Sequence, residues 1–248
     1  MEVAPGIRRI GPGLANVYLV EEAGAVTIVD AGMPGYWRAL PRELAAMGRS
    51  LADVRAVVLT HAHTDHIGFA ERIRTERGMP IRVHELDALR ARGQVPGPKG
   101  LGDFKLAPLL RFLIFGLRNG LMRVPPILEV ATFGDGATLD VPGAPRVIHV
   151  PGHTAGSAAL HFADRDAICV GDAFVTRNVI TGATGPQLFP NFNSDNEQAF
   201  ASLARFERVE ARLVLAGHGD PWDRGLTEAV RVAREHWTNR DRPGPAPR

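Results

Sequence analysis

Apolar and polar positions alternate in short blocks along most of the chain. "LANVYLV" (14–20) and "AVTIVD" (25–30), rich in apolar and β-branched residues and separated by the turn-like "EEAG", predict a β-hairpin near the N-terminus. "GYWRALPRELAAMG" (35–48) reads as a helix and "VRAVVLT" (54–60) as a buried strand. A helix is predicted from about Thr64 through "FAERIRTERG", with Asp65 near its start, where a carboxylate suits both capping and the dipole. "IRVH", "ATLDV", "RVIHV", "SAALHF", "AICVGD" and "RLVLAG" are further strand candidates, and "SDNEQAFASLARFERV" and "GLTEAVRVAREHWT" read as helices. One domain over residues 1–240 is expected, followed by a Pro-rich, disordered tail at 241–248. No short motif repeats, although two β-rich halves each followed by helices fit a pseudo-duplicated sandwich.

Composition narrows the class. The chain has 248 residues, 45% of them hydrophobic, enough to bury a substantial core. A formal charge of +2 with only two lysines, Lys99 and Lys105, argues against a nucleic-acid footprint, which needs clustered bases on one face. Cys169, the single cysteine, has no internal disulfide partner and reads as a small core hydrophobe. The start "MEVAPGIRRIGPG" lacks a charged-then-apolar signal layout, so a cytoplasmic location is expected.

The nine histidines are informative by position. In "LTHAHTDHIG" (59–68), His61 and His63 are two apart and share a side of extended backbone, while Asp65 and His66 follow at a turn and approach from another direction. Three more apolar runs end in a glycine and a ligand-type residue: "VIHVPGH" at His153, "AICVGD" at Asp172 and "LVLAGH" at His218. Gly152, Gly171 and Gly217 would permit a sharp turn and close backbone approach just before each. Four strands thereby deliver seven nitrogen or oxygen ligands to one edge of the fold. His84, His149, His161 and His236 lack this arrangement and read as ordinary strand or helix residues with local partners. Seven ligands exceed the four that saturate a structural zinc, and a catalytic zinc keeps a position open for water, so two adjacent divalent ions are expected. Imidazole and carboxylate without thiolate suit zinc and also iron, manganese or cobalt, so ligand type alone does not settle the metal; zinc is the expected ion.

"THAHTDH", with His153, Asp172 and His218 behind it in that order, resembles the HxHxDH–H–D–H motif of the metallo-β-lactamase superfamily. "IVDAGMPG" resembles that family's early Asp-Gly motif and "AGHGDPW" its last His motif, so the likeness covers most of the chain. The resemblance implies an α/β, four-layer αββα sandwich with two metals at one edge. It gives His61, His63 and His153 to one ion, Asp65, His66 and His218 to the other, and Asp172 to both, with Asp30 supporting the ligand-bearing loops. It also implies hydrolysis by a hydroxide shared between the ions, with no side-chain nucleophile, and makes Asp65 the group that orients that nucleophile.

Departures from better-known branches narrow the substrate. His63 in place of an acidic residue argues against the redox di-iron branch, and Asp172 differs from the Cys or Ser of true β-lactamases. Only 30 residues follow His218, leaving no room for the helical glutathione-binding domain of glyoxalase II proteins. Lactonases resemble the chain in size and ligand set, yet Tyr18 and Tyr36 both lie early, so the oxyanion-assisting tyrosine of those enzymes has no counterpart downstream of Asp172. The distinctive part is an apolar helical insert at 92–130. "FKLAPLLRFLIFGLRNGLMRV" is too short and too interrupted by Arg111 and Arg118 to span a bilayer. Its apolar surface, including Phe112 and Phe115, would pack as ordinary core, wall the metal site as a lid, or serve as a dimer or membrane-surface contact. "GATGPQLFPNFNSD" (182–195) offers Phe189 and Phe192 as a second pocket loop, or is a plain connector into a helix capped by Ser194 or Asp195. The expected protein is a monomeric or homodimeric dinuclear metallohydrolase of small, partly apolar esters, lactones or thioesters. A phosphodiesterase, a mononuclear-iron persulfide dioxygenase and a non-catalytic binding protein are the alternatives.

Overall fold

The structure is a computed structural model and describes residues 1–96 and 102–240. The predicted tail at 241–248 and part of the Gly/Pro-rich opening of the insert lie outside the described residues. Strands β1 (Glu2–Ala4), β2 (Ile7–Ile10), β3 (Val17–Glu22), β4 (Ala25–Val29), β5 (Val54–Val58), β6 (Ile81–His84) and β7 (Val130–Phe133) form a mixed sheet in that spatial order. β1 to β4 pair antiparallel and β4 to β7 parallel. The second sheet contains β8 (Arg146–His149), β9 (Ala158–Phe162), β10 (Ala167–Gly171) and β13 (Leu213–Ala216), in the order β13-β10-β9-β8. A separate hairpin joins β11 (Val175–Arg177) to β12 (Thr184–Gln187).

Alternation within strands builds four layers. In β5 and just beyond, Val57 and Leu59 face one core and Ala56 and Val58 another; in β10, Ile168 and Val170 oppose Ala167 and Cys169 in the same way. Val29, Ala56 and Val58 of the first sheet meet Leu160, Cys169 and Leu215 of the second in a shared core. On the outer faces, α1 (Leu40–Ala45), α2 (Ala70–Arg77), α3 (Ala88–Ala91) and the inner side of α4 (Leu106–Arg118) cover the first sheet, while α5 (Asn196–Ser202) and α6 (Leu226–Asn239) cover the second. The result is an αββα sandwich, and Cys169 is a buried thiol of its inter-sheet core.

The hairpin of β3 and β4 turns at Ala23 and Gly24, both at positive φ, the geometry that matches strand twist. Two expectations are corrected and one element was missed. The helix expected from Thr64 begins at Ala70, because residues 63–69 direct their backbone bonds elsewhere: His66 N donates to His63 O, Gly68 N to Gly32 O, and Ala31 N to His66 O. "ATLDV" makes only an isolated bridge, Thr138 to Arg146, and the strand lies earlier, at β7. The hairpin β1–β2 escaped the pattern because Arg8 and Arg9 look polar in sequence, yet Arg9 is buried with Nη1 on Gly219 O and Asp220, and Arg8 reaches Glu43.

Candidate metal centre

The seven predicted ligands come from the C-terminal ends of strands in both sheets and converge at one edge of the sandwich. His61, His63, Asp65 and His66 follow β5; His153 follows β8, Asp172 follows β10 and His218 follows β13. Three groups of donor atoms lie within 4.8 Å of one another: His61, His63 and His153; His61, His66 and Asp172; Asp65, His66 and His218. Asp172 Oδ2 is the hub, 3.1 Å from His218 Nε2, 3.3 Å from His153 Nε2, 3.7 Å from His66 Nε2 and 3.9 Å from His61 Nε2. At one end His63 Nδ1 lies 2.9 Å from His153 Nε2; at the other, Asp65 Oδ2 is 3.4 Å from His218 Nε2.

Close approach of backbone makes this convergence possible. A Cβ on Gly217 would sit 2.1 Å from Asp172 Oδ1 and 2.7 Å from His66 Cε1. Gly152 has φ +126°, and a Cβ there would strike the backbone of Ala199 in α5. Asp30 itself occupies the left-handed region at φ 61°, which Asp tolerates better than most residues.

Each ring is aimed by a bond at its far nitrogen. His218 Nδ1 donates to Leu14 O, His66 Nδ1 to Asp30 Oδ2 and His153 Nδ1 to Asn193 Oδ1. The Thr60 hydroxyl donates to Asp30, leaving its oxygen to accept from His61 Nδ1. These bonds turn Nε2 toward the cluster in all four rings. Asp30, whose Oδ1 also accepts from Thr60 N, thus ties His66 to the loop carrying His61. Asp87 was not singled out by sequence, where it is one of many acidic residues. Its Oδ2 accepts from Ala62 N and Thr154 Oγ1 and its Oδ1 from Gly156 N, so it joins the His61–His63 loop to the His153 loop. Asn16 and Tyr18 do the same for His218: Asn16 Nδ2 donates to Ala216 O and Gly219 O, and Tyr18 Oη also to Ala216 O.

The donor set fits a cation. Among the described residues, buried His61 Nε2, His66 Nε2 and Asp172 Oδ1 have no hydrogen-bond partner, and Asp30, Asp65 and Asp172 concentrate negative charge at a largely buried point. Burial pushes His61 and His63 well below the ordinary imidazole range, helped by neighbouring histidines, and lowers His153 as well. Burial opposes charge on His66 too, but Asp172, Asp65 and Asp30 outweigh it and raise the ring to about 10. Burial likewise disfavours an ionised Asp172, yet the charges of His218 and His66 hold its carboxyl well below the usual range. The carboxylate end thus attracts positive charge, and the three-histidine end is a set of neutral lone pairs.

The cluster opens into a cavity of about 430 Å³. His63, Asp65, His153, Asp172 and His218 lie on its lining with Phe112, Leu121, Val124, Pro125, Phe189 and Phe192; Thr64, Arg90 and Arg92 are the other polar lining residues. Phe189 lies parallel to His153 at 6.2 Å and edge-on to His218 at 5.2 Å. The loop at 182–195 therefore both lines the cavity and leads into α5, whose cap is Asp195, with Oδ1 accepting from Gln198 N. Phe115, expected in the pocket, is corrected: on the turn of α4 after Phe112 it packs edge-on to Tyr36 instead. Tyr36 Oη donates to Ala15 O, and neither Tyr36 nor Tyr18 lines the cavity. His84, His149, His161 and His236 stand apart from the cluster; His84 stacks on His149 at 4.2 Å, and the last two meet the carbonyls of Glu210 and Pro186.

An αββα sandwich with a histidine and aspartate cluster at one edge of its sheets defines a class. The profile of the Metallo-beta-lactamase superfamily matches residues 10–218, and the chain belongs to that family. It is 26% identical over 238 residues to the probable metallo-hydrolase YflN of Bacillus subtilis, covering 89% of this chain and 86% of that protein. Among solved structures it is similar to the metallo-beta-lactamase family protein TTHA1429 of Thermus thermophilus, with TM-score 0.69 and 26% identity over 96% of this chain and 81% of that one. It also matches TTHA1623 in a di-iron-bound form, with TM-score 0.62 and 26% identity over 92% of this chain and 98% of that one.

Proposed function

We propose that the chain, a metal-dependent hydrolase of this superfamily, holds two divalent metal ions and cleaves small carboxylic esters, lactones or thioesters with an apolar part. The observation that carries this reading is the juxtaposition of the donor cluster with an apolar cavity: the ligands form one wall and Phe112, Leu121, Val124 and Phe189 contribute to the others. His61, His63 and His153 would hold one ion, Asp65, His66 and His218 the other, and Asp172 would serve both. Zinc is favoured by the nitrogen and oxygen donors, with iron or manganese as the alternatives. When bound, such ions supply Lewis acidity, activating water and polarising the bond to be cleaved.

The protein's own groups do the rest. Asp65 reaches the cavity, where its carboxylate can orient the attacking water and take its proton. The apolar walls exclude bulk water and hold the substrate's hydrocarbon part, strengthening the electrostatics at the reacting end. Arg90 and Arg92 add positive charge to the cavity lining, and they favour a phosphodiester as the second substrate class.

The test is metal analysis of the purified protein followed by turnover on an ester, lactone, thioester and phosphodiester panel. Two divalent ions per chain are expected, with His61→Ala and Asp172→Ala losing about a hundredfold or more in kcat/KM. Phe112→Ala should raise KM for long acyl chains and spare short ones. One iron per chain with oxygen uptake on a persulfide, or full turnover by both ligand variants, would overturn the reading.

A further inference from the structure

The insert helix α4 has two apolar faces, and only one is used by the fold. Leu109, Phe112 and Gly116 are buried against the body of the protein. Leu106, Leu110, Leu113 and Leu117 follow a four-three-four spacing, which places them on one stripe of the helix, and they are 66%, 46%, 43% and 64% exposed. Single exposed leucines are ordinary, whereas a continuous stripe of four on one helix marks a contact surface. Beyond exposed Ile114, the stripe is bordered by exposed Arg111 and Arg118, neither of which has an ion-pair partner among the described residues. From 104 to 128 the sequence holds Lys105, Arg111, Arg118 and Arg123 and no carboxylate.

We infer that this outer face of α4 docks on an anionic lipid surface. The chemistry is that of an interfacial amphipathic helix: leucines enter the boundary between headgroups and acyl chains while flanking guanidinium groups meet lipid phosphates. The arginine stems extend along apolar surface as their heads stay at the polar level. A second copy of the chain fits less well. In a two-fold contact α4 would meet itself, so the arginine border would face arginine or leucine again, with no acid to pair. A span is excluded for α4 by its 13 residues, and no helix among the described residues is long and apolar enough to cross a membrane. This docking goes beyond the hydrolase reading and does not depend on it, since lipid binding is measurable without turnover.

The experiment is co-sedimentation of the full chain with phosphatidylcholine vesicles, with and without phosphatidylglycerol. Binding is expected on the anionic vesicles, weakening as salt rises. The double variant Leu110→Glu/Leu113→Glu should lose about tenfold or more of the partition coefficient, and Arg111→Gln/Arg118→Gln about tenfold on anionic vesicles only. All four side chains are outside the core, so an unchanged urea midpoint checks folding, and the wild-type lipid and salt dependence needs no variant. Absence of wild-type binding, or binding that survives both double variants, would overturn the inference. So would a wild-type dimer that the leucine variant converts to monomer in analytical ultracentrifugation, because a second copy would then cover the stripe.

Discussion

Asp87 has the clearest structural duty among residues that never reach the cavity. Its two oxygens accept three hydrogen bonds, from Ala62 N, Thr154 Oγ1 and Gly156 N, and a buried carboxylate with that many donors is a rigid clamp. Ala62 lies between His61 and His63, and Thr154 follows His153, so the clamp sets the spacing of the three-histidine end. Asp87→Ala should therefore weaken metal retention by about 10–100-fold, with lost activity partly recovered at high metal concentration. A purely structural role would instead lower the urea midpoint while leaving metal affinity unchanged, and titration with a chelator distinguishes the two. The seven candidate ligands stood out in the sequence because each is a histidine or aspartate at the end of an apolar run, three of them directly after a glycine. Asp87 carries no such mark: its partners lie 25 to 69 positions away and reach it only because the turn after β6 lies beside both loops in the fold.

At the level of elements, the periodic strands were legible where both faces are apolar, as in β5, β10 and β13. Turns that borrow hydrogen bonds from distant backbone were not, which is why the helix after the histidine cluster starts six residues late, at Ala70. The missed hairpin β1–β2 is a case of polar residues used inside. Its Arg8 bonds Glu43 of α1, which also accepts from the Met1 amine and from Arg42. Burial opposes ionisation of Glu43, but these donors prevail and hold its carboxyl down at about 2. A carboxyl lowered in the fold stabilises it at all pH values above the unfolded pKa and loses that contribution as pH falls toward the folded one. Glu43→Gln should then be destabilised by about 2–3 kcal/mol at pH 7. The gap to wild type should close between about pH 4.5 and pH 2. A gap in urea-derived stability that stays constant across that range would show that the ion pairs do not tie the hairpin to α1.

The whole molecule is two sheets whose shared core contains Val58 and Cys169, and the donor cluster lies beyond the strand ends at one edge of that core. Four ligands follow a strand of the first sheet and three follow strands of the second, so ions held there would bridge the sheets as well as supply chemistry. Without them the fold must keep Asp30, Asp65 and Asp172 together with only a proton held on His66 to offset them, a costly arrangement at a mostly buried point. Metal binding should consequently appear as folding stability. At a free concentration about a thousand times the dissociation constant, a ligand that binds only the native state contributes about 4 kcal/mol. For a chain of this size that corresponds to a rise in Tm on the order of 10 °C. Stripping the protein with a strong chelator and scanning it calorimetrically should lower Tm by that amount, and adding zinc should restore it. In Asp172→Asn, which removes the charge at the hub while keeping its shape, chelation should move Tm much less. Equal melting of stripped and zinc-loaded wild type would mean that the cluster does not bind metal tightly enough to join the sheets, and the dinuclear assignment would fall with it.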